Sequence, residues 1–149
     1  MDYQGLMQQA LELAKEAAEH NDVPVGAVIV NQNDEIIGRG KNEREKNNDP
    51  LAHAELIAIR DAAYNLSSWR FDDATLVVTL EPCAMCAGAI TQSRFARVVF
   101  GAFDEKAGAV GSVWDLIRDP RLPNKIEVIS GLLADESAQL LKDFFIKRR

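Results

Sequence analysis

The chain has 149 residues, 47% of them hydrophobic and 27% charged, which is enough apolar material for one compact core. Its net charge of −6 excludes a protein that coats nucleic acid by bulk electrostatics and leaves any such recognition to local patches. Two cysteines at Cys-x-x-Cys spacing do not make a disulfide framework, and the opening Met-Asp-Tyr-Gln carries no basic leader. No apolar run approaches the roughly 18 residues that span a bilayer. These features predict a single domain over residues 1–149, soluble and cytoplasmic, with no membrane partner and in a reducing compartment.

Along the chain, Leu6, Ala10, Leu13, Ala14 and Ala17 recur at helical spacing, predicting an amphipathic helix over the first twenty residues. Pro24 to Val30 is apolar and β-branched, Asn31 to Asp34 is rich in turn residues, and Glu35 to Lys41 is extended again, which reads as a hairpin. Asp49-Pro50 reads as an N-cap followed by a proline at the first helical position, opening a helix to about Tyr64 with His53 and Glu55 near its start. Leu76 to Thr79 is a short buried strand, after which Pro82 opens a second helix with Cys83 and Cys86 in its first turn. Arg97 to Ala102 and Ile126 to Ser130 are further strands, and the glycines of Gly101 to Gly111 mark a loop. Ala134 to Ile146 closes the chain as a helix whose stripe is Ala134, Ala138, Leu141 and Phe145.

Strands alternating with helices in this order predict an α/β fold, a three-layer α/β/α sandwich around a central mixed five-stranded sheet. The sheet is antiparallel at the opening hairpin and parallel later. Both motif helices then start at the carboxyl ends of strands, where open α/β sheets place ligands.

The scarce residues concentrate there. His53 and Cys83 with Cys86 supply two sulfurs and an imidazole, a donor set that favours zinc, one ion per chain. A fourth position left to water is the catalytic arrangement, whereas structural zinc is closed by four protein ligands. His20, the other histidine, or a carboxylate is the candidate for such a closing ligand. The positive end of the second motif helix is expected to lower both thiol pKa values. Glu55 stands two residues from His53, so on a regular helix it points elsewhere and does not chelate with it. It would instead reach the water that the metal activates and move its proton. Taken alone, Glu55 is a first-turn glutamate complementing the helix dipole, and Cys-x-x-Cys is a redox pair. Neither alternative accounts for all four residues.

Basic residues cluster at Arg39, Lys41, Arg44 and Lys46, at Arg118, Arg121 and Lys125, and at Lys147, Arg148 and Arg149. Each cluster alone is an ordinary solvated face.

His-x-Glu with Pro-Cys-x-x-Cys resembles the zinc-dependent nucleobase deaminases. Nearly the whole chain resembles the bacterial tRNA-specific adenosine deaminases, within the cytidine deaminase-like fold. The matching segments are Val23-Pro-Val-Gly-Ala, Asn48-Asp-Pro-Leu-Ala-His-Ala-Glu, Thr79-Leu-Glu-Pro-Cys-Ala-Met-Cys-Ala-Gly-Ala-Ile and the stretch from Arg97 to Ser112. That last stretch and the ending Asp143-Phe-Phe-Ile-Lys-Arg-Arg are the parts specific to the tRNA enzymes. The resemblance implies hydrolytic conversion of the wobble adenosine of a tRNA anticodon to inosine. It also implies a homodimer whose partner helps to build each site. His53, Cys83 and Cys86 match its zinc ligands, and Glu55 its proton shuttle. Asn42 and Asp104 match positions that hold the flipped nucleotide, and the Ala54 N–H is placed to address the base. Phe144, Phe145 and Arg148 match the terminal helix that lines the groove for the anticodon stem-loop. Two other readings stay open: a zinc deaminase of a free base or nucleoside, and a non-catalytic RNA-binding subunit that keeps zinc for stability.

Overall fold

A computed structural model describes residues 1–148. The first helix, α1 (Tyr3–Glu19), starts where Asp2 accepts a hydrogen bond from the Gly5 N–H. Its buried stripe keeps Leu6, Ala10, Ala14 and Ala17 from the expected set, with Leu13 partly buried against the same core and Met7 and Leu11 added to it. Strands β1 (Gly26–Val30) and β2 (Ile36–Lys41) form the expected hairpin. Asn31 closes its turn by accepting from both the Asn33 and Glu35 N–H groups. After a short α2 (Arg44–Asn47) come α3 (Ala54–Leu66), β3 (Thr75–Leu80), α4 (Ala84–Gln92), β4 (Arg97–Ala102), β5 (Glu127–Ile129) and α5 (Ala134–Ile146).

The five strands lie in the order β2-β1-β3-β4-β5. β1 runs antiparallel to both β2 and β3, and β3, β4 and β5 are parallel, so the sheet is mixed as expected. Side chains alternate across it. Ala27, Ile29, Leu76, Val78, Val98 and Phe100 pack in one core with α3 and α4, whereas Val28, Val30, Val77 and Val99 pack in another with α1. α5 lies on the α1 side, against β4 and β3.

Close approach of α3 to the sheet depends on a missing side chain. A Cβ at Gly40 of β2 would run into the carbonyl oxygen of Ala54 and the amide of Ala58, so only glycine lets the first turn of α3 rest there. Farther along, α3 reaches over the outer edge of β2, where Asp61 accepts from the Arg39 N–H and Asn65 donates to the Ile37 carbonyl.

Two expectations need correction. α3 does not begin at Asp49-Pro50 but at Ala54, because Asp49 closes a local turn on the Leu51 N–H and the chain from His53 enters the helix in an extended conformation. The stripe of α5 is also displaced. Its buried residues are Ser137 and Phe144, with Leu133 and Leu140 between and before them at helical spacing, while Phe145 faces out. Ser137 takes an inward place because its hydroxyl donates to the Thr79 carbonyl at 2.5 Å, a bond that hydropathy spacing cannot reveal.

Candidate active site

α3 and α4 start side by side at the carboxyl end of the sheet, and each starts at a ligand candidate. His53 is the N-cap of α3 and Cys83 the N-cap of α4, both in extended conformation, and Cys86 follows within the first turn. The His53 Nδ1 lies 3.6 Å from the Cys83 Sγ and 3.5 Å from the Cys86 Sγ, and the three donor atoms lie within 4.8 Å of one another. With Zn–S near 2.3 Å and Zn–N near 2.05 Å, a tetrahedral centre sets an N···S edge of about 3.6 Å. The donor set and its spacing therefore both fit zinc. His20 is elsewhere: its Nδ1 is 2.9 Å from Asp22, and the cluster among the described residues holds three donors.

Electrostatics divides the two cysteines, contrary to the expectation that the helix end lowers both. A hydrogen bond from the Cys86 thiol, opposed by burial and helped by His53, holds Cys83 down at about 4. Cys86 is pushed up, first by donating to Cys83 and then by burial beside Glu55. His53 is raised, chiefly by its bond to Cys83. A bound dication would favour the deprotonated form of both thiols.

Glu55 is buried at the start of α3 and stands outside the three-donor set. Burial pushes its carboxyl up to about 7, partly offset by its backbone amide and by His53. That value suits a group that takes and returns a proton near neutral pH.

Asn42 follows β2 directly, and its Oδ1 accepts from the Ala54 N–H at 2.8 Å. It is the non-local cap of α3. The Ala54 amide expected to address a base is therefore already engaged within the chain, and the outward group at this place is the Asn42 Nδ2, which has no hydrogen-bond partner among the described residues. Asp104 lies past the end of β4. Its Oδ1 accepts from the Lys106 and Ala107 N–H groups, and the segment it opens returns to Cys83 through a bridge with Gly108.

The α5 residues separate. Phe144 is 6% exposed and Phe145 50% exposed. The Arg148 guanidinium lies 3.6 Å from the Phe144 ring centroid and donates to the Asn21 Oδ1 at 2.7 Å, so Phe144 is a covered platform and Phe145 an open one. Lys15, Lys147 and Arg148 line a groove there with Pro24 and Phe144. Next to Asn21, the buried Asp22 accepts from the Glu45 and Lys46 N–H groups and anchors α2, whose Arg44 is close enough to lower the His53 pKa. Of the other basic clusters, Arg118 pairs with Asp115 and Arg121 with Asp119, and Lys41 pairs with Glu16. Arg149 lies outside the described residues.

Sequence reasoning missed Asp22 and Glu81. Glu81, 2% exposed, accepts from the N–H groups of Asp104, Val110 and Ser112 and from the Ser112 hydroxyl. The available signal was a lone acidic residue ending an apolar strand, in Leu80-Glu81-Pro82.

A buried glutamate beside two cysteines and a histidine, on helices that start at strand ends, defines a zinc-dependent deaminase centre. Residues 1–102 match the family described as the cytidine and deoxycytidylate deaminase zinc-binding region, and the chain belongs to that family. Within it the similarity runs to the tRNA enzymes. A tRNA-specific adenosine deaminase of Haemophilus influenzae is 50% identical over 97% of this chain and 83% of its own length. A solved structure from a study of A-to-I editing by tRNA:A34 deaminases is 42% identical, with a TM-score of 0.87 over 92% of this chain and 99% of that one. A guanine deaminase of Bacillus subtilis, 33% identical over 99% of this chain and 94% of its own, has a TM-score of 0.68. No helix among the described residues is long and apolar enough to cross a membrane.

Proposed function

We infer that residues 1–149 form one zinc-dependent hydrolase domain that converts adenosine to inosine at the wobble position of a tRNA anticodon, acting as a homodimer in the cytoplasm. The observation that carries the reading is a three-donor zinc set, His53, Cys83 and Cys86, with the buried and unliganded Glu55 beside it. The tRNA substrate rests on similarity: the identity to a tRNA-specific adenosine deaminase is higher, and the structural match closer, than to the guanine deaminase.

Zinc held by the three donors would supply the Lewis acidity that makes water reactive near neutral pH. The target base leaves its stack in the anticodon loop, where extrusion costs less than in a duplex. Asn42, through its Nδ2, and Asp104 hold the nucleotide at the mouth of the site. Glu55 takes one proton from the water as its oxygen adds to C6 and passes it to N1 of the ring, then takes the proton left on that oxygen and gives it to the leaving amine, so that the C6–N bond breaks, ammonia departs and a carbonyl remains at C6. Phe145 and Arg148 line the approach for the stem-loop, and Phe144 supports Arg148 from beneath.

Assembly has its own support. α4 is apolar almost all round, and Ala84, Met85, Gly88 and Ala89 on its outer side stay at least partly exposed. A helix of this composition is normally covered on both faces.

The test is to incubate the zinc-loaded protein with total tRNA and digest the product to nucleosides. Inosine is expected in the wobble-adenosine fraction. Turnover of free guanine or cytidine with no inosine in the tRNA would overturn the substrate and support the small-molecule reading instead.

A further inference from the structure

Glu81 is a buried acid that the chemistry above does not use. It follows the last residue of β3 and precedes Pro82, and its carboxylate receives four donors. The Oε1 accepts from the Asp104 N–H at 3.0 Å and from the Ser112 hydroxyl. The Oε2 accepts from the Val110 N–H at 3.0 Å and the Ser112 N–H at 3.1 Å. An ionised carboxylate has about four acceptor sites, and here each has a donor. All four donors come from one stretch, residues 104–112.

That stretch is wrapped on the acid. A Cβ at Gly108 would strike the Glu81 carboxyl and the Asp104 carbonyl, and Gly108 bridges to Cys83 while the Ala109 N–H donates to the Pro82 carbonyl. The stretch therefore forms the wall beside the first cysteine, and its shape is set by the acid behind it. The geometry points to Glu81 as a positioning residue for substrate: it touches no substrate, but fixes the 104–112 wall, which Asp104 opens and which bridges to Cys83 through Gly108. This rests on the reading above that Asp104 contacts the nucleotide.

The demand is for a carboxylate and not merely a polar group. Glutamine has one acceptor oxygen, and its NH2 would face N–H donors already aimed at that place, leaving buried donors unpaired. Glu81→Gln should release the wall while sparing His53, Cys83, Cys86 and Glu55.

The experiment compares zinc-loaded wild type, Glu81→Gln, Asp104→Asn and the double variant on an anticodon stem-loop, well below the lowest melting temperature. Glu81→Gln is expected to keep its zinc, raise KM by about tenfold or more, and change kcat less. The double variant should be no worse than the worse single one, because Glu81 acts through Asp104. A wild-type KM in folded Glu81→Gln, or single effects that multiply in the double variant, overturns the assignment. Should Glu81→Gln fail to fold or to hold zinc, Ser112→Ala decides with one donor removed: a KM rise absent in the Asp104→Asn background supports the assignment, and an unchanged KM overturns it. If the wild type makes no inosine, the substrate reading is what has failed. The assignment is then read from amide hydrogen exchange, which Glu81→Gln or Ser112→Ala should accelerate at residues 104, 110 and 112, and unchanged exchange there overturns it.

Discussion

α3 and α4 both begin at an extended residue, His53 or Cys83, whose side chain makes no capping bond to its own helix. At α3 the open first amide goes to Asn42, a neutral side chain arriving from the end of β2. At α4 the surroundings are fixed by the 104–112 wall, which is anchored on the charged Glu81 and bridged to Cys83. A ligand at an N-cap cannot also cap, so each helix start is secured from a distant part of the chain. The two starts differ in whether that support is neutral or ionised.

The sharpest way to break the comparison is to remove what the two starts share. Cys86→Ala or His53→Ala should lose zinc and bring deamination to background, measured by metal analysis and inosine yield. Full zinc occupancy in either variant would contradict the three-donor set.

Glu55→Gln belongs to the α3 start alone and keeps the shape of the side chain. It should retain zinc and fold while turnover drops by about 10² to 10⁴-fold, the usual range for a lost general acid–base group. Single-turnover kinetics on an excess of enzyme separates this from a binding defect.

Asn42 tests the neutral support and separates two roles of one residue. Asn42→Ala leaves the Ala54 N–H unpaired and should cost about 1–3 kcal/mol in denaturant unfolding. Asn42→Asp keeps an acceptor, favourable at a helix start, but loses the Nδ2 donor. It should therefore melt near the wild type while KM for the stem-loop rises.

The smallest effect distinguishes the charged support by pH. Burial alone would raise the Glu81 pKa, but the Ser112 hydroxyl and the Asp104, Ser112 and Val110 amides outweigh it and hold the carboxyl below its ordinary value of 4.5. The unfolded chain then binds more protons as pH falls below that value, so the stabilisation is present above it and is lost as pH drops through the folded pKa. The gap in melting temperature between wild type and Glu81→Gln should be widest above that value and should narrow in acid, whereas the gap for Asn42→Ala should stay flat across the same range.

Much of this was legible in the sequence where signals are local. Alternating apolar strands, the helical spacing of α1 and the clustering of His53, Glu55, Cys83 and Cys86 all follow from neighbours along the chain. What escaped was non-local polar bonding. The local signal for the α3 start is the nearby cap at Asp49-Pro50, while the observed cap sits twelve residues upstream of Ala54, just past the end of β2. Ser137 in the core of α5 and Glu81 behind the 104–112 wall have partners 58 and between 23 and 31 residues away.

The way α3 leans over β2 limits how copies of this chain can meet. β2 is an outer strand, and an outer strand with open amides and carbonyls invites another chain to continue the sheet. Here the Arg39 amide is occupied by Asp61 and the Ile37 carbonyl by Asn65, so an incoming strand finds two of its docking points filled. At the opposite margin β5 is three residues long. With both margins blunted, neither edge of the sheet is an open template for a further strand.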